Sequence, residues 1–325
     1  MLSRVAENLY WFGRYLERAD SVARTADVDH QTSLETEPQS GQSIWAGLIA
    51  ATASRDAFAQ ALAKNPRLSQ PEFLLLAETH PGSLRSTLTS ARTLARGLRE
   101  HISREIWEEV NVLHLDLARR RHLSGTDIYD LCLRVKRGTQ TILGLYDNAA
   151  LRDEAREWFR CGLYIERADM TSRIIDTKYH VLLPTPADVG GPFDRFQWMA
   201  ILRSASAWEA YRKTGHHEVT GPEVADFLMF NRDFPRSLAF SVMALLRHYR
   251  QAAAMTPRAT AIQAERLLTI LDLDLAGLNA DAVIEDGLHE FLDSFQLRLT
   301  EIDRTVTESI FRPTPQTGGA KRGDQ

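Results

Sequence analysis

The chain has 325 residues, of which 44% are hydrophobic and 25% charged, and its formal net charge is −4. This balance is typical of a globular protein and excludes a general electrostatic attraction to nucleic acid or to anionic membranes. Arg4, Glu7 and Arg14 leave no uncharged segment for a signal peptide, and no apolar run approaches the roughly 18 residues of a membrane helix. Together with two cysteines, which suit a reducing compartment, these features predict a cytoplasmic, bacterial-type protein.

Helical periodicity dominates the chain. No proline occurs between Gly82 and Leu183, and apolar residues in that stretch recur at helical spacing, as in Leu94, Leu98 and Ile102. Alternating apolar and polar runs of strand type are hard to find. The pattern therefore predicts an all-α protein, with helices over 3–34, 42–64, 71–77, 82–120, 125–147, 151–182, 195–213, 222–230, 236–254, 259–276 and 282–310.

A mostly polar phrase occurs twice. GRYLERADSVARTAD (13–27) and GLYIERADMTSRIID (162–176) share eight of fifteen positions without a gap. Two further pairs follow in the same order, beginning at Trp45 and Trp198 and at Phe73 and Phe227, while the offset drifts only from 149 to 154. These repeats predict a helical bundle built from two duplicated units, 1–150 and 151–311, with pseudo-two-fold symmetry. We expect a disordered tail over 312–325.

Each copy of the phrase places a polar stripe beside an apolar face. At about 100° per residue, the stripe falls within about 80° of arc next to residues such as Leu16 and Ala19. Its members are Gly13, Glu17, Asp20, Arg24 and Asp27 in the first copy, and Gly162, Glu166, Asp169, Arg173 and Asp176 in the second. Because burying an uncompensated charge costs several kcal/mol, something positive must face Glu17 and Glu166.

The sequence leaves three sources for that positive charge: arginines of the same chain, a metal ion, or a cationic ligand or partner. Arg18 and Arg167 each point about 100° away from the glutamate that precedes them, so we expect them to make a different contact, such as with a helix C-terminus or an acidic group across the bundle. Arg14 lies on the far side of the first helix from the stripe.

Another basic row lies on the predicted helix 82–120, where Arg92, Arg96 and Arg99 follow Arg85 along one side. These arginines either neutralise the acidic stripes, or are solvated, or form a clamp for phosphate or carboxylate, which the planar guanidinium suits.

Common catalytic motifs are missing from the sequence. It contains no GxxxxGK[ST], GxGxxG, HExxH or GxSxG, so nothing indicates a nucleotide cofactor. Di-metal helical bundles use Glu-x-x-His, whereas the residues three places after Glu17 and Glu166 are Asp20 and Asp169. Since each stripe also contains an arginine, which opposes a divalent cation, we expect the protein to hold no metal and no cofactor.

The phrases NLYWFGRYLERAD and GLYIERAD resemble those of the alpha-E family, a bacterial helical domain named for its Glu-Arg motif. The resemblance extends to DTKYHVLLP, FPRSL and REHISREIWEEVN, and it identifies Glu17 with Arg18 and Glu166 with Arg167 as the motif residues. It implies a genetic context in which such proteins are encoded beside, or fused to, circularly permuted ATP-grasp ligases and transglutaminase-like proteins. These are therefore the expected partners.

Two functions are compatible with these sequence features. The first is an accessory or interaction protein of such a peptide-ligase system, with the paired Glu-Arg helices as a buried charge network and a possible docking surface. The alternative is an enzyme that forms or hydrolyses amide bonds, with Glu17 and Glu166 as acid and base in a central cleft. An enzyme would need at least one of these glutamates in a cleft that solvent can reach.

Overall fold

A computed structural model describes residues 1–35, 45–180, 189–215, 218–255 and 261–312. Within these ranges the protein is all-helical, as predicted, and no strand is present. The helices are α1 (Ser3–Glu35), α2 (Trp45–Ala51), α3 (Arg55–Lys64), α4 (Gln70–Leu76), α5 (Leu84–Gly97), α6 (Arg104–Arg119), α7 (Gly125–Ala149), α8 (Glu154–His180), α9 (Pro192–Ser204), α10 (Trp208–Lys213), α11 (Gly221–Phe230), α12 (Leu238–Met255), α13 (Ala261–Gly277) and α14 (Ala280–Val306), followed by a π-helical turn (Thr307–Phe311). All but the first residue of the predicted tail lies outside the described residues.

Three predicted helices are each interrupted. The segments 42–64 and 195–213 break at Ala53 and Ser206, two non-glycine residues that share a φ of 51°. Within the segment 82–120, α5 ends at Gly97 and α6 begins after Ser103. The Ser103 hydroxyl accepts a hydrogen bond from the Ile106 amide. The hydroxyl satisfies an amide that a continuous helix would bond internally, which makes the serine an N-cap and fixes the new start.

Two long helices form the centre of the molecule. Contacts between α1 and α8 join residues about 150 positions apart, from Met1 and Glu154 to Glu17 and Arg167, so the two helices run in the same direction. The other helices surround this pair: α5, α7 and α9 pack on α1, and α2, α12 and α14 pack on α8. Both central helices are therefore enclosed on most sides, which explains why polar residues on them lie in the core.

None of the helices in the described ranges is both long enough and apolar enough to cross a membrane.

Candidate functional site

The two central helices meet at a pair of glycines. A Cβ atom added to Gly162 would lie 1.8 Å from the carbonyl oxygen of Tyr10, and one added to Gly13 would lie 2.2 Å from that of Phe159. Neither position can accept a side chain without moving a backbone. The glycines therefore let α1 and α8 approach closely, and this approach brings the two Glu-Arg motifs face to face.

Glu17 is 1% exposed and is held by two arginines. Arg167 donates from Nε to Oε1 over 3.0 Å and from Nη2 to Oε2 over 2.7 Å, while Arg236 donates from Nη1 to Oε1 over 2.7 Å. The fork of Arg167 matches the carboxylate in the bidentate geometry that makes such pairs strong. Arg236 reaches the site from the turn before α12 and also donates to Asp20, 2.6 Å from Nη2 to Oδ2.

Glu166 is held in a matching way on the opposite helix. It is fully buried, and Arg18 donates from Nε to Oε1 over 2.6 Å and from Nη2 to Oε2 over 3.1 Å. Arg14 supplies a second donor, 2.8 Å from Nε to Oε2. Each motif glutamate is therefore bound by the motif arginine of the other helix. Of the two contacts considered for Arg18 and Arg167, the acidic group across the bundle is the one observed.

Arg14 also connects the site to α14, although it lies outside the stripe. Its Nη1 lies 2.8 Å from Oδ1 of Asp303, and the Tyr10 hydroxyl donates to the same oxygen over 2.6 Å. The guanidinium bridges Glu166 and Asp303 because the neighbouring α8 and α14 cover that side of α1. Sequence reasoning missed Arg14, Arg236 and Asp303 as network members. The repeat gave little indication of these residues, because it aligns Arg14 with Leu163 and Arg236 with Gly82, so neither arginine is present in both copies.

The remaining stripe residues extend the network at different depths. Buried Asp20 accepts from Arg24, 2.6 Å from Nε to Oδ2, and from Thr139, 2.8 Å from Oγ1 to Oδ1. Asp169 pairs with Arg173 over 2.8 Å, but this second pair is partly exposed. Asp20 is thus more deeply buried than its counterpart Asp169.

Burial and arginine contacts act in opposite directions on these carboxyl groups. Burial raises the pKa, but Arg18 and Arg14 overcome it and lower the pKa of Glu166 to about 2. Arg236 and Arg24 likewise lower the pKa of buried Asp20 to about 2. Arg167 and Arg236 also place the pKa of Glu17 below its usual range against the effect of burial. All three groups are carboxylates at neutral pH and hold no proton to donate as general acids.

The arginine row of α5 does not reach the stripes. Arg92 donates to Asn111, 2.7 Å from Nε to Oδ1, and Arg99 lies with its guanidinium carbon 4.4 Å from the centroid of the Trp107 ring. Arg96 is exposed. Because the chain turns after Gly97 and α6 folds back along α5, the row faces α6, and Arg99 lies beyond the end of α5. Neutralisation of the acidic stripes was one of three roles considered for this row, and the contacts of Arg92 and Arg99 do not support it.

A cavity of about 450 Å³ lies between α13 and α14 in the described structure. Leu273, Leu278, Phe291 and Arg298 are among the residues that line it, whereas Glu17 and Glu166 are not. The buried glutamates therefore do not open into this cavity. His30 lies in the core, and the side chain of His180 lies outside the described residues.

The buried Glu-Arg pairs agree with a comparison against protein families. Residues 1–311 match the Alpha-E family, which is described as a predicted alpha-helical domain with a conserved ER motif. No curated protein and no solved structure matches the chain. Since the match covers the chain from its first residue to the last helical turn, the chain belongs to the Alpha-E family.

Proposed function

We propose that this protein is a non-catalytic accessory component of a bacterial, cytoplasmic system that contains a circularly permuted ATP-grasp ligase and a transglutaminase-like protein. The partners come from the family resemblance. The main support for an accessory role is the state of the two motif glutamates. Each is buried, ionised and bound by two arginines, so neither is available to exchange a proton with a substrate.

We infer further that the two halves, 1–150 and 151–311, are copies of one helical unit related by a pseudo-two-fold axis. Several paired features support this inference. The helix breaks at Ala53 and Ser206 share one φ value, Gly13 and Gly162 make reciprocal close contacts, and α2 packs on α8 as α9 packs on α1. On this view the Glu-Arg network is the structural joint between the two copies.

A scaffold of this kind would act by presenting a rigid surface to the ligase. The test is to co-express the protein with the neighbouring ATP-grasp protein, to purify the complex, and to measure ATP-dependent ligation with and without this chain. We expect stable association and an activity of the ligase that rises when this chain is added. The proposal is refuted if the ligase does not bind this chain and its activity does not change when the chain is added.

The enzyme alternative is tested with the conservative variant Glu166→Gln. If Glu166 were an acid or base, the variant would lose activity while remaining folded. If it is structural, activity should follow the folded fraction measured by circular dichroism at each temperature. A matched control is Glu108→Gln, which alters an exposed ion pair with Arg104 and should change neither quantity.

A further inference from the structure

The two central helices differ at the ends of their stripes. Asp27 on α1 forms an ion pair with the Lys136 ammonium on α7. Asp176, the matching residue of α8, meets instead the imidazole of His289 on α14, 2.7 Å from Nδ1 to Oδ1. One helical turn after these two partners the chain carries Gln140 on α7 and Asp293 on α14.

The two sets of side chains at the ends of the stripes therefore differ in net charge. The set on α1 and α7 combines a carboxylate, an ammonium and an amide, so it is neutral and contains its own cation. The set of Asp176, His289 and Asp293 combines two carboxylates with an imidazole. When the imidazole is neutral, this second set carries two negative charges. Arg173, one helical turn before Asp176, is a nearby cation, but it also pairs with Asp169.

The geometry of the second set suits a single ion. One donor atom from each of Asp176, His289 and Asp293 can be chosen so that all three lie within 4.8 Å of one another. Metal bonds of about 2.1 Å separate ligand atoms by roughly 3 to 4 Å. His289 Nδ1 and Asp176 Oδ1, 2.7 Å apart across a hydrogen bond, would release the shared proton to solvent and move slightly apart when both bind one ion. The set is also accessible, because the side chains of His289 and Asp293 are 23% and 62% exposed.

A bend in α14 precedes this cluster. Gly287 has φ 117° and ψ 102°, which are not helical, and it lies two residues before His289. The helix therefore changes direction just before the residues that meet Asp176.

We propose that Asp176, His289 and Asp293 form a binding site for a divalent transition-metal ion, with water completing the coordination. Imidazole together with carboxylates favours Zn²⁺ or Mn²⁺ over Mg²⁺, for which imidazole is a poor ligand. The bound ion would cross-link α8 to α14 at the place where Lys136 joins α7 to α1. This proposal departs from the expectation that the protein holds no metal, and it uses one stripe residue, the buried Asp176. The proposal goes beyond the accessory role and does not depend on any partner.

The test uses the full chain after treatment with chelator and titrates it with ZnCl₂, MnCl₂ or MgCl₂ by isothermal calorimetry, with Tm measured in parallel. We expect one equivalent of Zn²⁺ or Mn²⁺ to bind and to raise Tm, and Mg²⁺ to bind much more weakly. His289→Lys copies the arrangement of the other half, so it should fold normally. Its affinity should fall by more than the roughly 10- to 100-fold that loss of an outer-shell partner costs.

Two further variants keep the test decisive. Asp293→Asn changes an exposed side chain and should weaken binding even if His289→Lys fails to fold. His122→Lys removes an exposed histidine that lies 3.2 Å from Glu72 and should leave the one-to-one binding unchanged. The proposal fails if the unmodified chain binds neither Zn²⁺ nor Mn²⁺, if Mg²⁺ binds equally well, or if Asp293→Asn binds like the unmodified chain.

Discussion

Substitution of Gly162 by alanine tests the closest contact of the molecule. The new Cβ would lie 1.8 Å from the Tyr10 carbonyl oxygen, whereas ordinary contact begins at 3.4 Å, so about 1.6 Å must be gained by moving α1 or α8. The obstacle is the backbone of α1 at Tyr10, so a change of rotamer cannot relieve the contact. Such a displacement would also stretch the ion pairs of Glu17 and Glu166, which lie within two turns of the crossing.

The expected cost follows from two opposing effects. Overpacking a core costs about 1–3 kcal/mol, and a backbone obstacle places this site at or above the upper end. Alanine regains about 0.5–1 kcal/mol because it restricts the unfolded chain more than glycine does. We therefore expect Gly162→Ala to lower the free energy of unfolding by about 2 kcal/mol or more.

Urea unfolding followed by circular dichroism at 222 nm measures this effect as a shift of the midpoint. The matched control is Gly144→Ala in α7, where an added Cβ meets no atom within 4 Å. This control should stabilise the protein by about 0.5 kcal/mol through the propensity effect alone. The reasoning is refuted if Gly162→Ala is as stable as Gly144→Ala.

Three further outcomes are expected from the charge network. Glu166→Ala should destabilise by about 3–5 kcal/mol, since it leaves the partly buried Arg14 and Arg18 without their carboxylate, whereas Glu108→Ala in an exposed pair should change stability by less than about 0.5 kcal/mol in the same urea titration. Arg236→Ala should cost several times more stability than Arg96→Ala, because Arg236 serves two buried carboxylates and Arg96 is exposed; equal Tm values for the two variants would contradict this assignment. The lowered pKa values of Asp20 and Glu166 contribute stability that is complete above the ordinary carboxyl pKa of about 4 and is lost as pH falls toward about 2. The free energy of unfolding should accordingly decline between about pH 5 and pH 2, and Asp20→Asn should make that decline shallower.

The helical class and the bounds of the two helices that carry the repeated phrase follow from the sequence alone. Helical periodicity and the repeated phrase delimited α1 and α8 to within a few residues. The stripe also showed that Glu17 and Glu166 need a positive partner, because the cost of a buried charge does not depend on the rest of the fold. These conclusions rest on interactions between residues that are near in sequence.

Only the tertiary structure decided which groups meet. Arg14 and Arg236 reach the glutamates because α8 and the turn before α12 pack against α1, and a helical projection of one segment contains no information about such neighbours. The break at Ala53 was also invisible, since a non-glycine residue with positive φ carries no turn signal in the sequence. The meeting of Asp176 with His289 joins residues 113 positions apart, so local pattern could not have predicted it.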